Sequence, residues 1–223
     1  MIDSAITELY ASVDWSDVDF TKTNDELAEC VLSRLGPIPG KRILDLGCGS
    51  ATLCVELALR GFDVVGLDLH VTPARARAKA RRVKFALLEQ DMSTMSFKEE
   101  FAAIVNWDVS GIGLLASDEA NIDIVRRVYD ALLPGGKFLL ETYNVEFIKA
   151  NPGRVEGLTF QAETNRCFPT QSEAPSIRFF SKEEWQTIAE RIGFTFLRAW
   201  GGLDGRVFET NSKMLVLAYA KET

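Results

Sequence analysis

The chain has 223 residues, 47% of them hydrophobic and 26% charged, and a formal net charge of −7. That length fills one core and falls short of two full domains, so a single domain over residues 1–223 is expected. The acidic balance opposes nucleic-acid binding by counterion release, no apolar run is long enough to span a bilayer, and four cysteines without a Cys-x-x-Cys pair argue against a disulfide framework or a zinc site.

The start, MIDSAITELY, has no basic stretch ahead of an apolar segment, so no secretory signal is read and a cytoplasmic protein is expected. Residues 1–40 are read as a helical cover. A short helix is predicted near Ser4 to Ser12, and a longer one from about Thr23 to Leu35, with Asn24 as cap, an apolar stripe of Leu27, Val31, Leu32 and Leu35, and a stop at Gly36-Pro37. Between them ASVDWSDVDF mixes acids with Val13, Trp15, Val18 and Phe20, which suits either a lid or a strap over the core.

From Lys41 the pattern changes to short apolar runs separated by helical periods. KRILDLG, GFDVVGLD, VKFALLEQD, AAIVNWD and GKFLLETYN read as strands; Ser50 to Arg60, TPARARAKAR and DEANIDIVRRVYDALL read as helices. Alternation of this kind predicts an α/β fold, doubly wound, with a mostly parallel sheet. Residues 41–144 form its core. Over 150–180, prolines and glycines with brief strand-like pieces, LTFQAET and SIRFF, predict a flap or small hairpin. Residues 181–223 close the chain with a helix, SKEEWQTIAERIGF, opened by a Ser181/Glu184 capping-box spacing, and with FTFLRAWGG and KMLVLAYAK, too closely joined for a crossover and therefore an antiparallel pair.

The turn between the first strand and its helix carries the chemistry. Gly47 and Gly49 let the backbone come close to a ligand while helix amides point at the same spot. Asp68 ends the next strand at the distance where an acid accepts from ribose hydroxyls, so an adenosine-like ligand is indicated. A dinucleotide fingerprint wants glycine at position 52, and Thr52 stands there. Asp45, two residues before the first glycine, would repel phosphates but could attract a cationic amino group.

ILDLGCGSA resembles the first motif of class I S-adenosylmethionine-dependent methyltransferases, which have a Rossmann-like, seven-stranded sheet ending in an antiparallel strand pair. The resemblance continues in Asp68, in EQDMSTMSF and in LLPGGKFLLETYN, and covers roughly residues 40 to 221. It implies S-adenosylmethionine as cofactor and no metal. Asp68 would hold the ribose hydroxyls, Leu69 would pack on the adenine, and Asp91 with Met92 would take the adenine amino group and ring face. The turn from Gly47 through Cys48 and Gly49 to Ala51 would run under the methionine part, bordered by Asn106 and Trp107. Ala51 adds a methyl where the family usually has a further glycine.

On the acceptor side, Tyr143 and Asn144 follow the fifth strand at the sheet end where ligands bind, or merely terminate it. His70, the sole histidine, is a candidate base but is better placed beside the ribose. Tyr10 and Trp15 either close over the cofactor carboxylate and substrate or pack in the core. Arg178, ahead of Phe179 and Phe180, suits an anionic substrate or an ion pair; Trp200, Asp204 and Arg206 are weaker candidates. The run Arg75, Arg77, Lys79, Arg81, Arg82 and Lys84 wraps around its helix and reads as a solvated face. The leading expectation is methyl transfer to an oxygen or nitrogen of a small molecule. The alternatives are an RNA or protein methyltransferase and a cofactor-binding protein with a non-methylating reaction. Neither the acceptor nor the oligomeric state can be read, and a homodimer is compatible with the sequence.

Overall fold

The computed structural model describes residues 18–108, 111–151, 158–170 and 176–223. The predicted helix at 4 to 12, Tyr10 and Trp15 lie outside the described residues. The cover is seen from Val18 onward, as an approach segment and helix α1 (Asp25–Leu35), whose cap Asn24 accepts from Leu27 N.

The alternation then runs as β1 (Arg42–Leu46), α2 (Thr52–Leu59), β2 (Asp63–Asp68), α3 (Thr72–Arg81), β3 (Ala86–Glu89), a single 3-10 turn (Met92–Thr94), β4 (Phe101–Asn106), α4 (Asp118–Ala131) and β5 (Leu132–Tyr143). After a short α5 (Val145–Ala150) come β6 (Leu158–Gln161), β7 (Arg166–Pro169), β8 (Ile177–Arg178), α6 (Lys182–Ile192), β9 (Phe194–Trp200) and β10 (Met214–Lys221). The main sheet has the order β3-β2-β1-β4-β5-β10-β9. Its first five strands pair in parallel, while β10 runs antiparallel to both β5 and β9. This is the doubly wound α/β architecture expected from the sequence. No helix among the described residues is long and apolar enough to cross a membrane.

Both faces of the sheet are covered, which explains why β1 and β4 are apolar almost throughout. On one face, Ile43, Val105 and Leu139 pack with Leu27 and Val31 of α1 and with Leu53 and Leu57 of α2. On the other, Leu44, Ile104, Phe138 and Leu140 pack with Ile124 and Val128 of α4 and Trp185 of α6. Strand order reverses between β1 and β4, because the chain leaves β1 toward one edge and returns to build the other. In open α/β sheets the ligand crevice lies at such a point, outside the carboxyl ends of the strands.

Two features depart from the sequence reading. Asn144 does not simply end β5: it starts α5 by accepting from Glu146 N, and its amide donates to Thr210 O at 2.9 Å and Ser212 O at 2.8 Å. The segment read as a flap or small hairpin is a three-stranded sheet ordered β6-β7-β8, packed through Cys167 and Phe179 on Val145 and Ile148 of α5.

The basic helix also needs correction, since α3 is not wholly solvated. Arg77 is 6% exposed and Arg81 is largely buried, because both turn inward toward α2 and the approach segment. Arg81 donates to Glu56 Oε1 at 2.9 Å and to Lys22 O at 3.0 Å. Glu56 itself is 1% exposed, bridges to Arg60 and accepts from Asn24 N, so one buried carboxylate joins α1, α2 and α3. Burial alone would raise its proton affinity, but these donors outweigh burial and hold the carboxyl below its ordinary value.

Glu56→Gln is expected to cost about 3 kcal/mol at neutral pH, because two guanidinium groups lose their buried partner. Urea unfolding would show it as a lower midpoint at unchanged slope. Because the folded value is depressed, Glu56's contribution is present above the ordinary carboxylate range and is lost as the pH falls through that value. The gap between variant and wild type therefore closes in acid.

Candidate functional site

The crevice is built on the turn after β1. Gly47 and Gly49 have φ of 76° and 51°, a left-handed backbone that side chains resist, and Ala51 follows at 60°. The amides of Gly47 and Cys48 both donate to Leu67 O, at 2.8 and 3.1 Å, and the amide of Gly49 donates to Asp68 Oδ2 at 2.8 Å. The parallel pairing of β1 with β2 thus continues around the turn. A Cβ on Gly49 would meet nothing within 4 Å, so the backbone there borders open space. From the outer side Arg77 Nε donates to Ser50 O at 2.9 Å.

Asp45 lies beneath this turn with no exposed surface. Its Oδ2 accepts from Cys54 Sγ at 3.1 Å, and its Oδ1 has no partner. Burial pushes its carboxyl from 3.8 up to about 7. Cys48 contributes its backbone to the turn; its Sγ packs against Gly66 beside Cys54, away from the chain's open side.

The other sequence-selected residues surround the same end of the sheet. Asp68 uses Oδ2 on Gly49 and Oδ1 on His70 N at 3.1 Å, and each oxygen keeps a further lone pair for a ligand. Leu69 follows it, half-buried. Asp91 caps the 3-10 turn by accepting from Ser93 N, and Met92 is buried against Gly111. Asn106 is buried on β4 and ties that strand to β1 by donating to Leu46 O at 2.7 Å; Trp107 follows, half-buried.

His70 stands on the β2–β3 side, 3.9 Å from Glu89, with β1 between it and β4. Tyr143 stands on the β5 side, its ring edge-on to Phe179 with centroids 5.7 Å apart. Arg178 is 7% exposed and lies between Asp118 and Glu184 with its guanidinium over Phe180, so its charge is spent on joining β8, α4 and α6. Asp204 and Arg206 pair with each other on the surface, and Trp200 sits beneath Arg34.

Sequence reasoning missed two acids at the ends of β4 and β5. Glu141 is buried, and its Oε2 accepts from the backbone N of Asp108 at 3.1 Å. Asp108 is exposed above it, at a φ of 57°. Burial raises the Glu141 carboxyl above its ordinary value, and the hydrogen bond from Asp108 offsets this only in part. The signal available in the sequence was an acid, ETY, at the end of an otherwise apolar run.

Because Asp45 keeps its proton in the folded chain to about 7 and loses it near 3.8 when unfolded, the folded state binds more protons across that window. Stability therefore falls as the pH rises through it. Asp45→Asn is expected to abolish this slope. Relative to wild type the variant gains about 4 kcal/mol between the lower and upper ends of the window, measured by urea unfolding at several pH values.

The family of methyltransferase domains matches residues 20–199 of the chain. A ubiquinone biosynthesis O-methyltransferase of Chelativorans sp. (strain BNC1) is 32% identical over 113 residues, 48% of this chain and 42% of that protein. The chain thus spans less than half the length of this curated relative. Among solved structures, an S-adenosylmethionine-dependent methyltransferase from Clostridium acetobutylicum ATCC 824 superposes with a TM-score of 0.70 at 16% identity, covering 99% of each chain. The 1,6-didemethyltoxoflavin-N1-methyltransferase of Burkholderia thailandensis, solved with S-adenosylhomocysteine, gives 0.67 at 14% identity over 99% of this chain and 88% of that one. With the family match over most of its length, the chain belongs to the family of methyltransferase domains.

Proposed function

We propose that the protein transfers the methyl group of S-adenosylmethionine to an oxygen or nitrogen of a small molecule. The observation that carries the acceptor class is the inward turn of Arg77 and Arg81. The basic helix, the positive surface an RNA acceptor would need, commits these arginines to Ser50, Lys22 and Glu56, and this leaves less positive surface for a polyanion.

The cofactor when bound supplies an activated methyl on a sulfonium, so the chain has to bind, orient and exclude water rather than activate a leaving group. Asp68 accepts from the ribose hydroxyls with the lone pairs left over from Gly49 and His70. Leu69 and Met92 flank the adenine, and Asp91 takes its amino group. The Gly47–Ala51 backbone, with Cys48, runs along the methionine part, whose ammonium neutralises Asp45. Asn106 and Trp107 border the methionine part; Tyr10, read from the sequence as closing over its carboxylate, lies outside the described residues. Tyr143 lines the acceptor side. His70, turned toward Glu89, serves the ribose edge rather than the methyl.

Isothermal titration is expected to show S-adenosylmethionine binding at micromolar concentration and no binding of NAD, and turnover should release S-adenosylhomocysteine. Asp68→Ala should weaken cofactor binding by about 10- to 100-fold, through loss of charge-assisted bonds to the ribose and of the Gly49 anchor. NAD binding in place of S-adenosylmethionine, or unchanged affinity in the variant, would sink this assignment.

A further inference from the structure

At the carboxyl end of β5 stands a carboxylate whose burial has no structural return. Glu141 is 8% exposed, and the backbone amide of Asp108 is its one hydrogen-bond donor among the described residues. No lysine, arginine or histidine among them pairs with it. A buried carboxylate without a cation is costly. The same chain shows what it does with a buried acid whose task is structural: Glu56, at 1% exposure, receives both Arg60 and Arg81. Glu141 receives neither kind of partner.

Register puts this acid at the crevice. Asn106 pairs with Leu140, so the residues after β4, Trp107 and Asp108, run beside Glu141. Alternation along β5 gives Glu141 the sheet face of Leu139, which packs with Ile43, Cys54 and Val105. Asp45, bonded to Cys54, projects to that same face from β1, two strands away. The turn and the acid therefore look onto one side of the switch point.

We propose that Glu141, with Asp108 at the rim, receives a protonated amine on the acceptor, and that Glu141 takes its proton. This rests on the methyltransfer reading above and names its substrate class: a small molecule with a basic nitrogen. Two carboxylates repel a phenolate or carboxylate acceptor and attract an ammonium. In the step, the ammonium N–H bond breaks and its proton goes to a Glu141 oxygen. The freed lone pair forms the N–CH3 bond as the S–CH3 bond breaks, with the sulfur keeping that electron pair. The products are a methylammonium and S-adenosylhomocysteine, and Glu141 returns its proton to water. Burial, by raising the proton affinity of Glu141, brings it nearer to that of the amine.

The test is 13C NMR of the full chain labelled at glutamate Cδ and saturated with S-adenosylhomocysteine. It is titrated with propylammonium chloride, with sodium chloride at equal ionic strength, and with 1-propanol. Glu141 is assigned by the signal lost in E141Q, whose amide still accepts from Asp108 N, or by the signal that moves in D108N should E141Q not fold. The expected result is a saturable shift of Glu141 with propylammonium alone, weakened several-fold in D108N. No saturable shift, or an equal one with sodium or propanol, overturns the proposal while cofactor binding in the same sample stands. Failure of the cofactor to bind overturns the methyltransfer reading instead.

Discussion

The site depends on three successive amides. Gly47, Cys48 and Gly49 all donate to the end of β2, two to Leu67 O and one to Asp68 Oδ2. This holds a chain segment in which Gly47, Gly49 and Ala51 are left-handed, a conformation that the turn would not keep unaided. Asp68 consequently serves two ends with one carboxylate, fixing the turn through Oδ2 on Gly49 N and its own strand end through Oδ1 on His70 N, with a further lone pair left on each oxygen. A substitution there disturbs scaffold and ligand together, and the two effects separate only when unfolding and binding are both measured.

Around this turn the protein treats buried carboxylates in three ways. Glu56 is matched by arginines and binds helices together. Asp45 holds a thiol with one oxygen and is driven toward its neutral form, which a cationic ligand would reverse. Glu141 has, among the described residues, only a backbone amide. The first is a structural solution and the other two leave an electrostatic demand, and both demands face the crevice side of the sheet.

Much of this was legible in the sequence, because the patterns concerned are local. The strand and helix periods, the glycine turn with Asp68 nineteen residues beyond Gly49, and the Ser181/Glu184 capping box all depend on neighbours in the chain. What escaped depends on partners far apart. Arg77 and Arg81 read as a solvated face because their partners, Ser50, Lys22 and Glu56, lie 25 to 59 residues away. Helix α5, at six residues, is too short to show a period. Glu141 looked like one polar step in a strand, and only the β4–β5 register sets Asp108 beside it.

Ala51 is the residue at which this chain departs from the family pattern, and the fold explains why the departure is tolerated. A left-handed alanine costs roughly 1–2 kcal/mol relative to the right-handed form. Its methyl, however, is fully buried among Leu53, Cys54 and Leu57, and a buried methyl returns about 0.8 kcal/mol. Its amide closes the turn on Cys48 O at 2.7 Å. The methyl therefore packs into the core beneath the turn instead of crowding the face that Gly49 leaves open. A β-branched residue would find no such compromise, since its side chain resists the left-handed backbone more strongly and the core around α2 is already filled. The constraint at this position is thus set by backbone handedness and core volume together, and alanine and glycine meet both.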